Sequence, residues 1–430
     1  MIWGVVAEVG QKYRDLTISI LKGLDTKYQT DSVTKDAVVI PMIDLINTFP
    51  SSIPGTYEDL AAKFVNALPR NYTRVDIIAD TYRANTVKGE ERRSRGETEK
   101  IFIPSLKSKV HPEFSRILRN GDNKERVIEL IVEYMEQNRL EVMNTIRCLK
   151  IVISTNNRCS VLTKVSVTED ISLQSDQEEA DTKVILHCLH VLQASTTDYV
   201  TLRFHSGDTD ILVLAVGLLH EFRDRVLLDY GTSKNRKSFA LSAVDIESDM
   251  VDALIGLHAF SGNDFVSSFF RKGKDATFKL VESSSKFKST FSRLGIQWEL
   301  SDTLHAELEA FVCKLYGKSN QTDVNQVRYK IFRAKYADKS TAVDMSLLPP
   351  CKSVLRLHAS RANFVAAVWK RSNQAQVEIP DVTAHGWLHD YSIMWVSDDV
   401  YPQEVEDVLL SPEYDTEDVY GDDGDSDMED

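Results

Sequence analysis

Long apolar segments are missing from this chain. The longest unbroken run, Ile211 to Leu219, falls well short of the roughly 20 residues a membrane-spanning helix needs, and His220, Glu221 and Arg223 follow it. No membrane partner is expected. A basic stretch ahead of an apolar one is missing from Met1 to Gly10, where Glu8 interrupts early, so no secretory signal is expected and an intracellular, reducing compartment follows. The five cysteines, Cys148, Cys159, Cys188, Cys313 and Cys351, are odd in number and form no C-x-x-C pair. That excludes a disulfide framework and a structural zinc site of the usual spacing. His187, Cys188 and His190 lie on an apolar stretch and read as packed core residues rather than ligands. No internal repeat is evident.

Basic charge is also in deficit. The net charge is -14, which argues against a nucleic-acid partner until its distribution is considered. Ten acidic residues and no Lys or Arg lie between Glu413 and Asp430. Without them the chain is only modestly negative, and local basic patches remain compatible with phosphate binding. From about Pro412 too little apolar content remains to order the chain, so 412–430 reads as a disordered acidic tail, suited to binding a protein partner or screening the chain's own basic face.

What is present is an alternation of strand-like and helix-like segments from Val38 to about Leu300, the pattern of an α/β fold with a doubly wound, mostly parallel sheet. Strands are predicted over Ala37 to Ile43, Arg74 to Ala79, Ile151 to Ser154, Val161 to Val167, Asp198 to Phe204 and Val226 to Asp229. Helices are predicted over Tyr57 to Ala67, Lys124 to Asn144, Glu178 to Leu192 and up to about Ala259, with a basic loop at Lys234 to Lys237. Beyond Asp302 the pattern is mainly helical, over Leu304 to Tyr316 and Val324 to Tyr336, and then rich in aromatics whose default role is core packing. Four regions are expected: an extension over 1–36, the α/β domain over 37–301, a helical, aromatic-rich lobe over 302–411, and the tail.

Acidic residues mark the ends of these segments. Asp44, Asp80, Glu179, Asp181, Asp208, Asp210 and Asp264 each stand where a strand-like run ends or a helix begins. Active sites of open α/β sheets form beyond the carboxyl ends of parallel strands, so acids remote in sequence are expected to meet in one crevice. Repulsion among them must be offset by cations, and hard oxygen ligands favour Mg²⁺ or Mn²⁺ over zinc. Each motif alone has an ordinary reading: acids at helix starts favour the helix dipole, and Asp at such a junction serves as an N-cap. Asp80 leads into Lys88, Arg92, Arg93 and Arg95, cations able to grip a phosphate or, equally, to line a solvated helix with Glu90 and Glu91. The basic stretch from Arg271 to Lys288 tracks a phosphate backbone or is surface, with neither favoured.

Taken in order, Asp44, Asp80 with Lys88 and Arg92 to Arg95, Glu179-Ala180-Asp181, Asp208-Thr209-Asp210 and Gly262-Asn263-Asp264 resemble the motif series of the flap endonuclease and XPG family of the PIN-like nuclease superfamily. A closer resemblance is to uncharacterised, mobile-element-associated metazoan proteins that share Glu-Glu-Ala-Asp-Thr, Asp-Thr-Asp and His-Ala-x-x-Gly-x-Asp. The resemblance covers roughly Val38 to Lys288. It implies a PIN-like fold for 37–301, nuclear location, and a two-Mg²⁺ phosphodiesterase acting on branched or flapped DNA. Asp44, Asp80, Glu179 and Asp181 would hold one metal, Asp208, Asp210 and Asp264 the other, with Glu178 in the outer shell. Lys88 and one of Arg92, Arg93 or Arg95 would contact the phosphate. Thr81 stands where the family usually has Gly after its metal-binding Asp. Two alternatives remain open at this level: a PIN-like scaffold without turnover that binds nucleic acid or protein, and a ribonuclease on single-stranded RNA, because phosphate contacts carry no sequence information.

Overall fold

A computed structural model describes residues 36–156, 158–193, 200–204, 209–222, 226–232, 235–241, 246–336 and 344–396. The extension, apart from Asp36, and the acidic tail therefore lie outside the described residues. Among the described residues eight strands form one sheet: β1 (Ala37–Pro41), β2 (Arg74–Ile78), β3 (Lys150–Thr155), β4 (Arg158–Thr163), β5 (Val167–Glu169), β6 (Val200–Phe204), β7 (Val226–Thr232) and β8 (Asn235–Ala240). Their order is β5-β4-β3-β2-β1-β6-β7-β8. The five central strands, β3, β2, β1, β6 and β7, are mutually parallel, and β4, β5 and β8 add antiparallel margins. The chain is thus α/β with a mostly parallel sheet, as the segment pattern predicts.

Both faces of the sheet are covered, which is why its strands read as near-continuous apolar runs. Val38, Ile40, Val75, Ile77, Ile151 and Ile153 share a core with the helices Tyr57–Ala67, Gly121–Gln137 and Arg139–Ile146. On the opposite face Val152, Cys159 and Val161 meet Leu186 of the helix Ala180–Gln193. The helix Tyr57–Ala67 falls where its spacing predicts, and Thr56 with Asp59 forms a capping box at its start. The span predicted as one helix over Lys124 to Asn144 is two helices, because Asn138 leaves helical geometry at φ -104 and ψ 28. The predicted basic loop at Lys234 to Lys237 is corrected: from Asn235 the backbone is β8, an edge strand paired on β7. Charged residues suit a sheet edge, where they discourage pairing with another chain.

One polar group lies inside this core. The Asp76 carboxylate, fully buried on central strand β2, accepts from Arg74 Nε at 2.6 Å and Nη2 at 2.7 Å and meets His187 Nδ1 at 2.8 Å. These contacts face the helix Ala180–Gln193, opposite to Val75 and Ile77. His187 is therefore a core histidine with a charged partner.

The chain divides into two compact units. One holds the described residues up to Leu308 together with Leu357–Met394, and the other holds Glu309–Arg356 with the described residues from Trp395 onward. This differs from a lobe running over 302–411. The segment from Leu357 joins the sheet-bearing unit through buried polar contacts: His358 Nε2 with the Phe260 carbonyl at 2.9 Å, and Asn363 Oδ1 accepting from Gly295 N at 2.8 Å. In the other unit the buried Glu309 carboxylate accepts from Val324 N at 3.0 Å and pairs with Lys352 at 3.2 Å. Among the described residues no helix is long and apolar enough to cross a membrane.

Burial by itself would raise the Asp76 pKa, but Arg74 and then His187 overcome it and hold the carboxyl below its ordinary value. Asp76→Ala strands the buried Arg74 charge and is expected to cost about 3–5 kcal/mol, read from the urea midpoint. The depressed pKa contributes stability that is present above the unfolded carboxylate pKa of about 4 and is lost as pH falls below it. The parent should accordingly lose stability below about pH 4 more steeply than Asp76→Asn.

Candidate active site at the strand carboxyl ends

Successive connections run from β1 outward to β2 and β3 on one side and from β6 to β7 on the other. The adjacent β1 and β6 therefore flank a switch in winding direction, the place where a crevice opens at the strand carboxyl ends. Asp44 follows β1 in the short helix Met42–Ile46, Asp80 follows β2, and Asp210 lies in the first turn of the helix Thr209–Gly217 after β6. Glu178 and Glu179 immediately precede the helix Ala180–Gln193, and Asp264 follows the helix Ser248–Phe260. Asp208 lies outside the described residues.

The helix Val87–Ser94 crosses this group and delivers its cations. Lys88 Nζ lies 3.0 Å from Glu179 Oε1 and 3.1 Å from Asp264 Oδ2, so one ammonium joins carboxylates from two elements. Arg95 Nη2 reaches Asp264 Oδ1 at 2.5 Å, and Arg92 Nη1 reaches Glu178 Oε1 at 3.2 Å while its guanidinium lies over the Tyr82 ring. Thr86, which caps that helix by accepting from Gly89 N, also donates to Glu178 Oε1 at 3.0 Å. The start of the helix is thereby tied to the acidic segment. Arg93 does otherwise: it pairs with Glu90 at 2.7 Å on the solvated side, the ordinary reading of a charged helix face.

Further partners fix the acids. Asp80 Oδ1 accepts from Ala180 N at 2.8 Å, capping the helix that follows Glu179. Thr81 N donates to the Glu178 carbonyl at 2.8 Å, and buried Lys183 donates to Thr81 Oγ1 at 2.7 Å and the Ala79 carbonyl at 3.1 Å. The Thr81 that departs from the family pattern thus links the end of β2 to the glutamate pair. Trp369 Nε1 donates to Glu179 Oε2 at 3.2 Å. His258 Nε2 meets Asp210 Oδ1 at 2.8 Å, and Lys274 Nζ donates to His258 Nδ1 at 2.7 Å. That donation leaves the ring hydrogen on Nε2, directed at Asp210. Asp44 and Asp181 share the sheet edge and are half-buried, while the described contacts that knit the network run through Asp80, Glu178, Glu179, Asp210 and Asp264.

Charge states follow from this packing. Burial raises the Glu179 pKa against the pull of Lys88, and Asp210 raises it further, so these two acids feel each other. Burial likewise raises Glu178 against Arg92. For Lys88 burial works downward, but Glu179, Asp264, Glu91 and Asp80 together hold the ammonium well above its ordinary value. Asp210 resists burial through His258 and stays below the usual carboxylate range. Burial lowers Lys274 to about 7.

The donor set, all carboxylate with one histidine behind it, suits a hard divalent cation. Among the described residues, however, no three His, Cys, Asp or Glu side chains are grouped closely enough to hold a metal. Lys88 stands between Glu179 and Asp264, and each arginine except Arg93 takes another acid of the group. Sequence reasoning missed Lys183, His258 and Trp369, and read Lys274 only as part of the basic stretch. His258 carried a signal within His-Ala-x-x-Gly-x-Asp; Trp369 had none, being 190 residues from Glu179. In the basic stretch, Lys274 is committed to His258, Lys279 to Asp275, and Lys288 to Glu247 and Asp249. Of these three, Lys274 and Lys288 are buried and tie elements of the fold together, whereas the Lys279 pair is an exposed contact within one helix. Gly262 enables the turn carrying Asp264: its φ is +112, and an added Cβ would lie 2.7 Å from Ser268 Cβ.

Lys88→Ala leaves Glu179 and Asp264 facing each other. It is expected to lower Tm in chelator and to enlarge the Tm rise produced by millimolar Mg²⁺ relative to the parent. A Mg²⁺ response absent from both proteins would remove the divalent site.

Compared with known proteins, the chain matches no family model and no curated protein.

Proposed function

We propose that the chain is a metal-dependent phosphodiesterase acting on nucleic acid, with a PIN-like fold and a flap-type DNA substrate as the leading case. The observation that carries this reading is the convergence of Asp80, Glu178, Glu179, Asp210 and Asp264 with Lys88, Arg92 and Arg95 at the carboxyl edge of a parallel sheet. A structural ion-pair network does not require five acids from four segments at one crevice; phosphoryl chemistry requires both ligands for cations and cations for the phosphate. Asp80, Glu179, Asp210 and Asp264 would hold the metal, with Asp44 after β1, Asp181 in the first turn of the helix Ala180–Gln193 and Glu178 as further members; Asp208, also expected among the ligands, lies outside the described residues. Two Mg²⁺ ions, with Mn²⁺ as substitute, supply a polarised water and stabilise the leaving oxygen when bound.

The side chains have separable duties. Lys88 and Arg95 pair with acids in the metal-free protein and would turn to phosphate oxygens when a metal neutralises those acids. Arg92, held over Tyr82 and against Glu178, orients the helix that carries them. His258 holds Asp210 ionised and fixed in direction, as a hydrogen-bonded outer partner does for a ligating carboxylate. Trp369 does the same for one oxygen of Glu179.

A second reading is favoured by one observation, the Lys88 ammonium between Glu179 and Asp264. A lysine there can replace a metal permanently, which would make the chain a nucleic-acid-binding scaffold. Cleavage of end-labelled 5′-flap DNA and of single-stranded RNA in Mg²⁺, beside Asp210→Asn, separates these cases. The parent is expected to cleave the flap, and the variant to lose more than the roughly 10–100-fold that removal of an outer partner costs. Cleavage of RNA alone would change the substrate, and binding without cleavage in Mg²⁺ or Mn²⁺ would leave the scaffold.

A further inference from the structure

The unit that contains Glu309–Arg356 holds no member of the carboxylate cluster. In a chain of net charge -14, the span 309–356 nevertheless has nine Lys or Arg residues against four Asp or Glu. Four of the nine, Arg328, Lys330, Arg333 and Lys335, lie on the helix Val324–Tyr336, which has three aromatic residues and no acidic one. We propose that this helix is a second nucleic-acid contact, on which a single strand lies with phosphates against Lys330 and Arg333 and a base against the Phe332 ring. The helix stands beyond Lys288, outside the stretch that resembles known nucleases.

Three observations carry the assignment. First, the helix is anchored through its first half only. Val324 and Val327 are buried, Val324 N donates to Glu309 Oε1 at 3.0 Å, and Gln326 N donates to Asp323 Oδ1 at 3.0 Å. Asn325 Oδ1 accepts from Lys352 N at 2.8 Å, and Arg328 Nη1 donates to the Pro349 carbonyl at 2.5 Å. Beyond these anchors Lys330, Phe332, Arg333, Ala334 and Lys335 are exposed.

Second, helical spacing puts rings and cations on one face. Positions 329, 332, 333 and 336 are three and four residues apart, opposite to Val324 and Val327, and Lys330 adjoins Arg333 at the same interval. Phe332 is 36% exposed and packs on Tyr336 with ring centroids 5.9 Å apart. The Tyr336 hydroxyl donates to the Asp344 carbonyl at 3.4 Å, which fixes the pair. Cations alone would suit a duplex. An exposed ring beside them adds a stacking surface, which paired bases withhold and a single strand can use.

Third, the charge is uncommitted. Among the described residues Arg333 and Lys335 enter no ion pair, and Lys330 reaches only the Gln321 amide oxygen at 3.4 Å. Lys274 and Lys288, by contrast, are held by internal partners. The helix dipole accounts for cations in the last turn, but neither for Lys330 nor for an exposed ring.

The inference rests on the nucleic-acid part of the proposed function and not on cleavage, and its test keeps the two apart. Anisotropy of a labelled thymidine oligomer of roughly 20 nucleotides, long enough for one single-strand site, is followed with the full chain in chelator over a range of salt, beside a blunt duplex of equal length. Lys330→Gln/Arg333→Gln is expected to lower affinity about tenfold at low salt and to reduce the slope of log K against log salt by about 1.4, the value for two single-strand phosphates. Phe332→Ala should lower single-strand affinity about fivefold or more, the scale of one lost stack, and leave the salt slope and the duplex affinity parental. Lys107→Gln/Lys109→Gln removes the same charge from exposed positions of the sheet-bearing unit and should leave binding parental. Parental binding by both helix variants, an equal loss in the Lys107 and Lys109 control, or an equal loss of duplex binding in Phe332→Ala would overturn the assignment. Indifference to Phe332→Ala together with displacement of the strand by poly-glutamate would also overturn it and make the face a seat for acidic polypeptide. If Mg²⁺ elicits no cleavage of any strand, binding that both helix variants weaken keeps this face while the phosphodiesterase reading falls. Cleavage with helix-independent binding does the reverse, and absence of strand binding by the parent removes both.

Discussion

Repulsion among carboxylates gathered at one sheet edge is the constraint around which the rest of this structure is arranged. Like charges about 4 Å apart near a protein surface repel by roughly 4 kcal/mol, so five acids converging on one crevice cannot be left to themselves. Each is given a specific counterpart: Asp80 a helix N-terminus, Glu178 an arginine and a threonine, Glu179 a lysine and an indole, Asp210 a histidine, Asp264 a lysine and an arginine. The helix Val87–Ser94 owes its position to this demand. With a mean hydropathy too low to dock by burial, it is held by capping through Thr86 and by the acids themselves.

The same arrangement makes the site rigid in one direction and adaptable in another. Backbone and buried groups, namely Thr81, Lys183 and the Asp210–His258–Lys274 chain, set where the carboxylates stand. Long side chains with partial solvent access, Lys88 and Arg95, occupy the space between them. Arg95, with a half-exposed side chain, exchanges partners at low cost because its pairing is partly screened, whereas Lys88, more deeply buried between two acids, is held more firmly. Under the proposed reading, that exchange links neutralisation of the acids to capture of the phosphate.

The segment from Leu357 to Met394 changes the character of the site. Without it the crevice would keep Val87 and Phe265 as its apolar lining beside the charges. Its contacts to Gln177 and Glu179 give the crevice a wall of rings and place an indole on the glutamate at the centre of the charge network.

The sequence by itself determined the layered α/β class, the strands β1, β2, β3 and β6, and the position of most acids at segment ends, because alternation, apolar runs and cap residues are local properties. It also marked Lys88, Arg92 and Arg95 through their spacing after Asp80, without separating them from Arg93, whose solvated pairing depends on which helix face meets the acids. Only the tertiary structure decided that separation, the place of Asn235 to Lys237 in an edge strand, and the return of Trp369 to Glu179. The common physical reason is distance along the chain. Pairing at a sheet edge and bonds spanning 190 residues have no periodic signature, and arise only when packing brings the partners together.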